Sequence, residues 1–143
     1  MRAKFRELRN LLGNMTDAIS DLLTRIKTAS VAGRPSTSFD CSNLKLAVAE
    51  ALKKAGYLRS VNKKGKKVKK TIEVELVYQD KQAKIQDLER VSKPSRRIYL
   101  SAKDIRSVRQ GFGAGFYSTS RGIMTDKEAR RAKLGGEYLF KIW

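Results

Sequence analysis

Apolar residues set the first half of the chain out clearly. From Thr16 onward, Ile19, Leu22, Leu23 and Ile26 recur at helical spacing, and Gly33 with Pro35 closes the segment, which predicts a first helix with Arg25 and Lys27 on its other face. Ser36 to Phe39 reads as a short strand. Ser42 stands where it can cap a second helix that carries Leu44, Val48, Ala51, Leu52 and Ala55 on one face and ends at Gly56. Tyr57 to Val61 and Thr71 to Tyr78 then read as the strands of a hairpin, since Ile72, Val74, Leu76 and Tyr78 alternate with Thr71, Glu73, Glu75 and Val77. Ahead of all this, Phe5, Leu8 and Leu12 have the spacing of a short basic helix.

Gln79 to Lys84 is polar and reads as the passage between two lobes. Beyond it the period changes. Ile85 to Val91 and Arg97 to Ser101 read as short strands around a Ser92-Lys93-Pro94-Ser95 turn, and Asp104 to Gln110 leads into Gly111, Gly113 and Gly115. A further strand through Phe116 and Tyr117 runs into three consecutive hydroxyls, Ser118, Thr119 and Ser120. Thr125-Asp126-Lys127-Glu128 is a capping box that starts a short helix, with Arg130, Arg131 and Lys133 towards its negative end. Gly135 and Gly136 are expected to stop it, and Glu137 to Trp143 reads as a last strand. The division that follows is residues 1–14, an N-terminal α/β lobe at 15–79 and a C-terminal mainly β lobe at 80–143.

Composition turns this fold outline towards a partner. The 143 residues suffice for one domain or two small lobes that bury roughly two thirds of the unfolded surface. Hydrophobic content of 41% argues against disorder, while 32 Lys and Arg stand against 14 Asp and Glu. The resulting net charge of +18 repels itself on so small a body, so a polyanion, most simply a nucleic acid, is the expected partner. Cys41 is the single cysteine, which excludes an internal disulfide framework and fits a reducing compartment. No apolar run approaches the roughly 18 residues of a membrane span, and the N-terminus lacks the apolar stretch of a signal peptide. A cytoplasmic protein is expected, with an organelle transit peptide disfavoured.

The hydroxyl triplet is the most informative chemistry. Small hydroxyls both donate and accept hydrogen bonds, and they suit the 2′-hydroxyls, base edges and phosphates of RNA, where bulkier side chains hold a partner off. Arg121 adds charge beside them, and Gly122 either admits close backbone approach or supplies a turn. Ser118 and Ser120 share a face if the strand continues, with Thr119 pointing away. The run from Lys63 to Lys70 holds six lysines in eight residues and reads as an extended loop. Lys66, Lys67, Lys69 and Lys70 there, like Arg25 and Lys27 on the first helix, are either phosphate contacts or solvated charges.

An enzyme is not expected. The chain contains no histidine, so a Ser-His pair and the commonest metal ligand are both missing. Cys41 alone cannot build a zinc site. Gly111, Gly113 and Gly115 imitate a nucleotide loop without the Walker lysine or the dinucleotide spacing, and read better as a closely packed bend. Asp17 with Asp21, and Asp126 with Glu128, are explained by caps and solvated charge. No metal or cofactor is expected.

Met-Thr-Asp-Ala-Ile-Ser-Asp-Leu-Leu-Thr-Arg-Ile-Lys at 15–27, Ser-Asn-Leu-Lys-Leu at 42–46, Lys-Lys-Ala-Gly-Tyr-Leu at 53–58, Arg-Val-Ser-Lys-Pro at 90–94 and Ser-Thr-Ser-Arg-Gly-Ile-Met-Thr-Asp-Lys-Glu-Ala-Arg at 118–130 follow one another in order. Together they resemble the S-eight family of bacterial small-subunit ribosomal proteins, over Met15 to Trp143. The resemblance implies an α+β fold with an N-terminal lobe of two helices on a three-stranded sheet, and a mainly β C-terminal lobe with one short helix. It implies direct binding to the central domain of small-subunit ribosomal RNA, at a distorted helix with unpaired bases, beside neighbouring ribosomal proteins. The alternative it leaves open is repression of the chain's own messenger RNA through a look-alike site. Carried over by motif, the RNA contacts are Ser118, Thr119, Ser120, Arg121 and Gly122, with Glu137 after the double glycine, and Lys93 and Tyr99. Taken by themselves, Tyr99 is either a stacking platform or a half-buried tyrosine, and Glu137 either accepts from a base or holds an arginine. Three departures from the family pattern stand out. Residues 1–14 are a real extension or an upstream start chosen in error, Ser95 replaces a common glycine, and Gly115-Phe116-Tyr117 replaces an aliphatic run.

Overall fold

A computed structural model of the chain describes residues 18–66 and 69–143, the side chains of Lys66 and Lys69 apart. The expected basic helix within 1–14 and the helix start at Thr16 lie outside the described residues.

Helix α1 (Ala18–Ala32) buries Ile19, Leu22, Leu23, Ile26 and Ala29, the face its periodicity predicts. Gly33, at φ 70, closes it, with Arg34 N donating to Ala29 O at 2.9 Å. Strand β1 (Ser36–Asp40) follows, then helix α2 (Asn43–Lys54). Ser42 Oγ accepts from Lys45 N at 3.1 Å as the expected cap. At the far end Gly56 takes φ 90, its N–H donates to Lys53 O and that of Tyr57 to Leu52 O, which completes a Schellman stop. The buried face of α2 differs from the expected one at its first turn. Leu44 is exposed and Lys45 is buried instead, because the Lys45 ammonium lies 6.0 Å from the centre of the Phe39 ring and reaches Asp21 Oδ2 at 2.9 Å.

Strands β2 (Leu58–Lys66) and β3 (Lys69–Leu76) form an antiparallel hairpin, and β1 joins the far side of β3 to give the order β1-β3-β2. Ile72, Val74 and Leu76 are buried under the two helices. The ladder runs further than the sequence suggests, with Gly65 opposite Lys70 and Lys66 opposite Lys69. The extended lysine loop expected over 63–70 is therefore mostly paired strand. Backbone hydrogen bonds hold it, and Lys64 places its ammonium 2.8 Å from Glu73, so like charges along one strand are partly offset from the other.

The passage after β3 is itself a small hairpin, β4 (Tyr78–Gln79) against β5 (Gln82–Ala83). Asp80 and Lys81 sit at its tip with φ 53 and 66, the left-handed pair that a tight two-residue turn requires. The Tyr78 hydroxyl donates back to the carbonyl of Arg34, which ties this link to the end of α1.

The second sheet is built around β10 (Gly136–Ile142). One edge of β10 pairs with β8 (Ala114–Thr119), which pairs in turn with β9 (Gly122–Thr125). The other edge takes β6 (Leu88–Arg90) opposite 140–142 and β7 (Tyr99–Leu100) opposite 136–137. Sequence reasoning expects longer strands over 85–91 and 97–101. Each is shorter because the two share one edge end to end, around a bulge at Leu139 whose carbonyl accepts from Val91 N and Ser92 N.

Helix α3 (Asp126–Ala132) starts at the predicted cap, where Thr125 Oγ1 accepts from Glu128 N at 3.2 Å. The reciprocal arm differs from a capping box. The Glu128 carboxylate accepts from the Thr125 hydroxyl at 3.2 Å rather than from the Thr125 backbone.

Both faces of the second sheet are covered. Ala114, Phe116, Phe140 and Ile142 join the same buried cluster as α1, α2 and β3, with Phe116 and Phe140 stacked at 4.8 Å and Tyr57 edge-on to Phe116 at 6.5 Å. On the opposite face Tyr117 and Tyr138 stack at 4.4 Å beside Ile105 and Ala129. The fold is α+β, with two helices on a three-stranded sheet followed by a mainly β part with one short helix, as expected.

Candidate nucleic-acid interface

The hydroxyl triplet lies at the β8–β9 hairpin. Tyr117 pairs with Met124, Ser118 with Ile123 and Thr119 with Gly122, so the strand ends at Thr119 and the chain turns at Ser120 and Arg121. Ser120 thus sits on the tip rather than on a continued strand face beside Ser118, contrary to the sequence expectation. Gly122 at φ 108 supplies the left-handed residue that closes the turn. Thr119 locks it: its Oγ1 donates to Gly122 O at 2.8 Å and accepts from Arg121 N at 3.2 Å. That hydroxyl is used up internally. Those of Ser118 and Ser120 have no hydrogen-bond partner among the described residues, and Ser120, Arg121 and Gly122 are exposed.

Pairing across three strands assembles a row. Ser118 on β8 stands opposite Glu137 on β10, which stands opposite Tyr99 on β7. Directly opposed residues in a sheet share a face, so a free hydroxyl, a carboxylate and an aromatic ring lie side by side. Tyr99 is 68% exposed, which suits a stacking platform better than a packed core residue.

Two glycines make the row possible. Helix α3 ends at Lys133, which itself adopts the left-handed conformation at φ 57, so Gly135 and Gly136 are not the stop that the sequence suggests. They admit close backbones instead. A Cβ on Gly136 would lie 2.2 Å from Ser118 O, and one on Gly135 would lie 2.6 Å from Leu100 O. Gly113 has the same role at the other end of β10, against Ile142 O, as the reading of a closely packed bend expects.

Glu137 is held in place by two residues that sequence reasoning does not single out. Ser92 Oγ donates to Glu137 Oε2 at 2.6 Å while accepting from Ile98 N at 3.2 Å, and Arg97 Nη1 lies 3.1 Å from the same carboxylate oxygen. Of the two roles open to Glu137, the structure contains the arginine partner. Ser92 is fully buried, a position that only contacts forty residues apart in sequence create, and no local pattern marks it. Nearby, Lys93 and Arg96 exchange backbone hydrogen bonds across the Pro94-Ser95 turn, which leaves the Lys93 side chain exposed at the rim. Burial presses the Arg90 guanidinium below its ordinary pKa, Arg97 adds to that and Glu137 opposes it. On the reverse face, burial followed by Asp126 raises the Tyr138 phenol, and burial followed by Tyr138 raises that of Tyr117. Both remain neutral packing groups at any physiological pH.

The other expected phosphate contacts are elsewhere. Arg25 pairs with Asp21 at 3.2 Å and Lys27 with Asp87 at 2.8 Å, so both cations on α1 already hold carboxylates. The Lys27 hydrogen bond is the main reason that the Asp87 carboxyl titrates below its usual range. Lys70 is exposed at the β2–β3 end; the Lys66 and Lys69 side chains, and all of Lys67, lie outside the described residues. Among the described residues no group of three His, Cys, Asp or Glu is placed to hold a metal, and no helix is long and apolar enough to cross a membrane.

Residues 17–143 match the family described as Ribosomal protein S8. The chain is 43% identical over 129 residues to the small ribosomal subunit protein uS8 of Mycoplasmopsis pulmonis, covering 90% of this chain and 98% of that one. It is 45% identical over 128 residues to the protein of the same name from Mycoplasma mycoides subsp. mycoides, with 90% and 98% covered. Against that of Hyphomonas neptunium it is 41% identical over 130 residues, with 91% and 99% covered.

Proposed function

The chain belongs to the ribosomal protein S8 family, and from that premise we propose that it binds the central domain of small-subunit ribosomal RNA directly and helps assemble it. It is a structural, non-enzymatic component of the small ribosomal subunit and works in the cytoplasm with that RNA and its protein neighbours.

The observation that carries the binding proposal is the row of Ser118, Glu137 and Tyr99, extended by the exposed tip at Ser120 and Arg121. In this reading the two free serine hydroxyls meet 2′-hydroxyls and base edges, Tyr99 stacks on a base or sugar, and Arg121 with Lys93 faces phosphate. Thr119 and Gly122 act by holding the tip in shape. Glu137 acts by fixing Arg97 beside the row, since a bare carboxylate would repel the backbone it approaches. The lobe at 80–143 supplies recognition and the lobe at 15–79 supplies further contacts, with Lys66, Lys67, Lys69 and Lys70 giving affinity that salt weakens. A surface that reads local shape accepts any RNA that copies the shape, so the proposal extends to the chain's own messenger RNA.

Equilibrium binding to a central-domain RNA fragment, with unrelated structured RNA as competitor, tests this. The Ser118→Ala, Ser120→Ala double variant is expected to lose about 1 to 3 kcal/mol of affinity with its salt dependence unchanged. Binding that competitor abolishes and the double variant leaves intact would reduce the protein to a basic body attracted to phosphate.

A further inference from the structure

At the opposite end of β10 from the serine row, roughly 20 Å away along the strand, a second cleft opens between aromatic and cationic side chains. It encloses about 430 Å³ and is lined by Tyr57, Lys84, Arg109, Phe112 and Trp143. Phe112 is 88% exposed, the most exposed of the large hydrophobic side chains among the described residues. The backbone that presents it is unusual: Arg109, Gln110 and Gly111 have φ of 50, 57 and 98. Arg109 and Gln110 carry the conformational cost of that geometry, which Gly111 adopts freely.

The floor of the cleft is fixed. Trp143 N donates to Asp87 O at 3.0 Å, and Trp143 O accepts from Gln86 N at 2.7 Å and from Asp87 N at 3.1 Å. Arg109 lays its guanidinium over the Trp143 ring at 4.4 Å. Lys84 donates to Gly56 O at 3.0 Å with its ammonium 5.3 Å from the centre of the Tyr57 ring. No side-chain carboxylate is among the lining residues; the carboxyl end of Trp143 is taken up by the N–H groups of Gln86 and Asp87, and the Asp87 carboxylate, which acts on Arg109, is held by Lys27. Two cations flanking an exposed ring and a fixed indole, on a chain of net charge +18, complement a group that is both flat and anionic.

We infer that this cleft is a second RNA-binding site, which takes one unpaired nucleotide with its base on Phe112 and its phosphate between Arg109 and Lys84. Such stacking tolerates any base, because every base has a π-face. The site rests on the reading of the chain as an RNA-binding ribosomal component and adds a second point of attachment on a different RNA segment. A sheet held at both ends of one strand fixes the distance between two RNA elements, which a single attachment cannot.

Trp143 is the only tryptophan, so its emission reports on the cleft alone. The full chain is titrated with an unstructured RNA hexamer. Saturable quenching is expected, also in the Ser118→Ala, Ser120→Ala variant, with affinity about tenfold weaker in Phe112→Ala and a shallower salt dependence in Arg109→Gln. Phe112 is outside the core, so an unchanged melting temperature controls for folding. Unchanged emission, equal affinity in Phe112→Ala, or equal quenching by polyglutamate would overturn the assignment, the last in favour of an acidic protein segment. Binding of the central-domain fragment separates the two readings. If it persists while the hexamer fails, only the cleft is lost; if it fails while quenching persists, only the serine row is lost.

Discussion

The β2–β3 hairpin and the β8–β9 hairpin are both antiparallel pairs that point polar side chains away from the core, yet they are supported in opposite ways. Residues 62–65 of the first are exposed, and its ladder is steadied at the surface by the Lys64–Glu73 pair. The second is buried on both faces up to Tyr117, clamped at its tip by Thr119 and pressed against Gly136. Charge acts over a Debye length of about 8 Å and tolerates a loose partner. Hydrogen-bond recognition does not, since a bond misplaced by half an ångström is largely lost. The difference between the hairpins is therefore the difference between attraction and selection.

Gly136→Ala should disturb the selective hairpin most. A methyl placed 2.2 Å from Ser118 O forces β8 and β10 apart, and a loss of about 3 kcal/mol in unfolding free energy is expected by denaturant titration. Discrimination between central-domain and unrelated RNA should fall with it. Intact stability would mean that the sheet has slack at the row, and the contrast with β2–β3 would weaken.

Asp21→Asn probes the other half of the molecule. Lys45 is only 5% exposed, and removing its partner strands an ammonium, at a cost on the order of 2 kcal/mol because Asp21 itself is partly solvated. Burial works to raise the Asp21 pKa, but the hydrogen bonds and charges of Lys45 and Arg25 outweigh it and the net shift is downward from 3.8. A carboxyl depressed in the folded state stabilises fully above its unfolded pKa, and that contribution is lost as pH falls through the folded one. The gap between wild type and Asp21→Asn should thus be full near neutrality and close as pH falls below 3.8 and through the lowered folded-state pKa. RNA selectivity should be unaffected.

The smallest structural effect is expected from replacing Lys66, Lys67, Lys69 and Lys70 with Gln. Stability should stay within about 0.5 kcal/mol of wild type. The slope of log affinity against log salt should become shallower by about 0.7 to 0.9 for each phosphate that the variant no longer neutralises, with competitor discrimination unchanged. A loss of discrimination would assign reading to the lysine hairpin as well.

Local signals in the sequence carried far. The α2 cap at Ser42, its stop at Gly56, the threonine cap of α3 and the alternation along β3 are each decided within a few neighbouring residues, and each appears in the structure. What escaped depends on distant contacts. Lys45 is inside because Asp21 and Phe39 wait for it, and Ser92 is inside because Glu137 does. Gly135 and Gly136 follow a helix and look like its stop, while their reason for being glycine lies across the sheet in Leu100 and Ser118. The hydroxyl triplet was legible as chemistry but not as geometry, since only the Thr119–Gly122 pairing shows where the strand ends.

The bulge at Leu139 acts on β10 as a frameshift acts on a message. Tyr138 and Phe140 are two positions apart, which in an unbroken strand would place them on one face; the extra residue puts one on each, opposite Tyr117 and Phe116. Everything before it is read in one phase and everything after it in the other. A one-residue insertion here would send Phe140 and Ile142 out of the shared core or turn Glu137 away from Ser118, whereas loss of Leu139 would leave the same partners in an unbulged ladder but without the carbonyl that holds Val91 and Ser92. The spacing between Gly136 and Ile142 is thus bounded from above, and apolar substitutions at the buried Leu139 should be tolerated far more readily than insertions beside it.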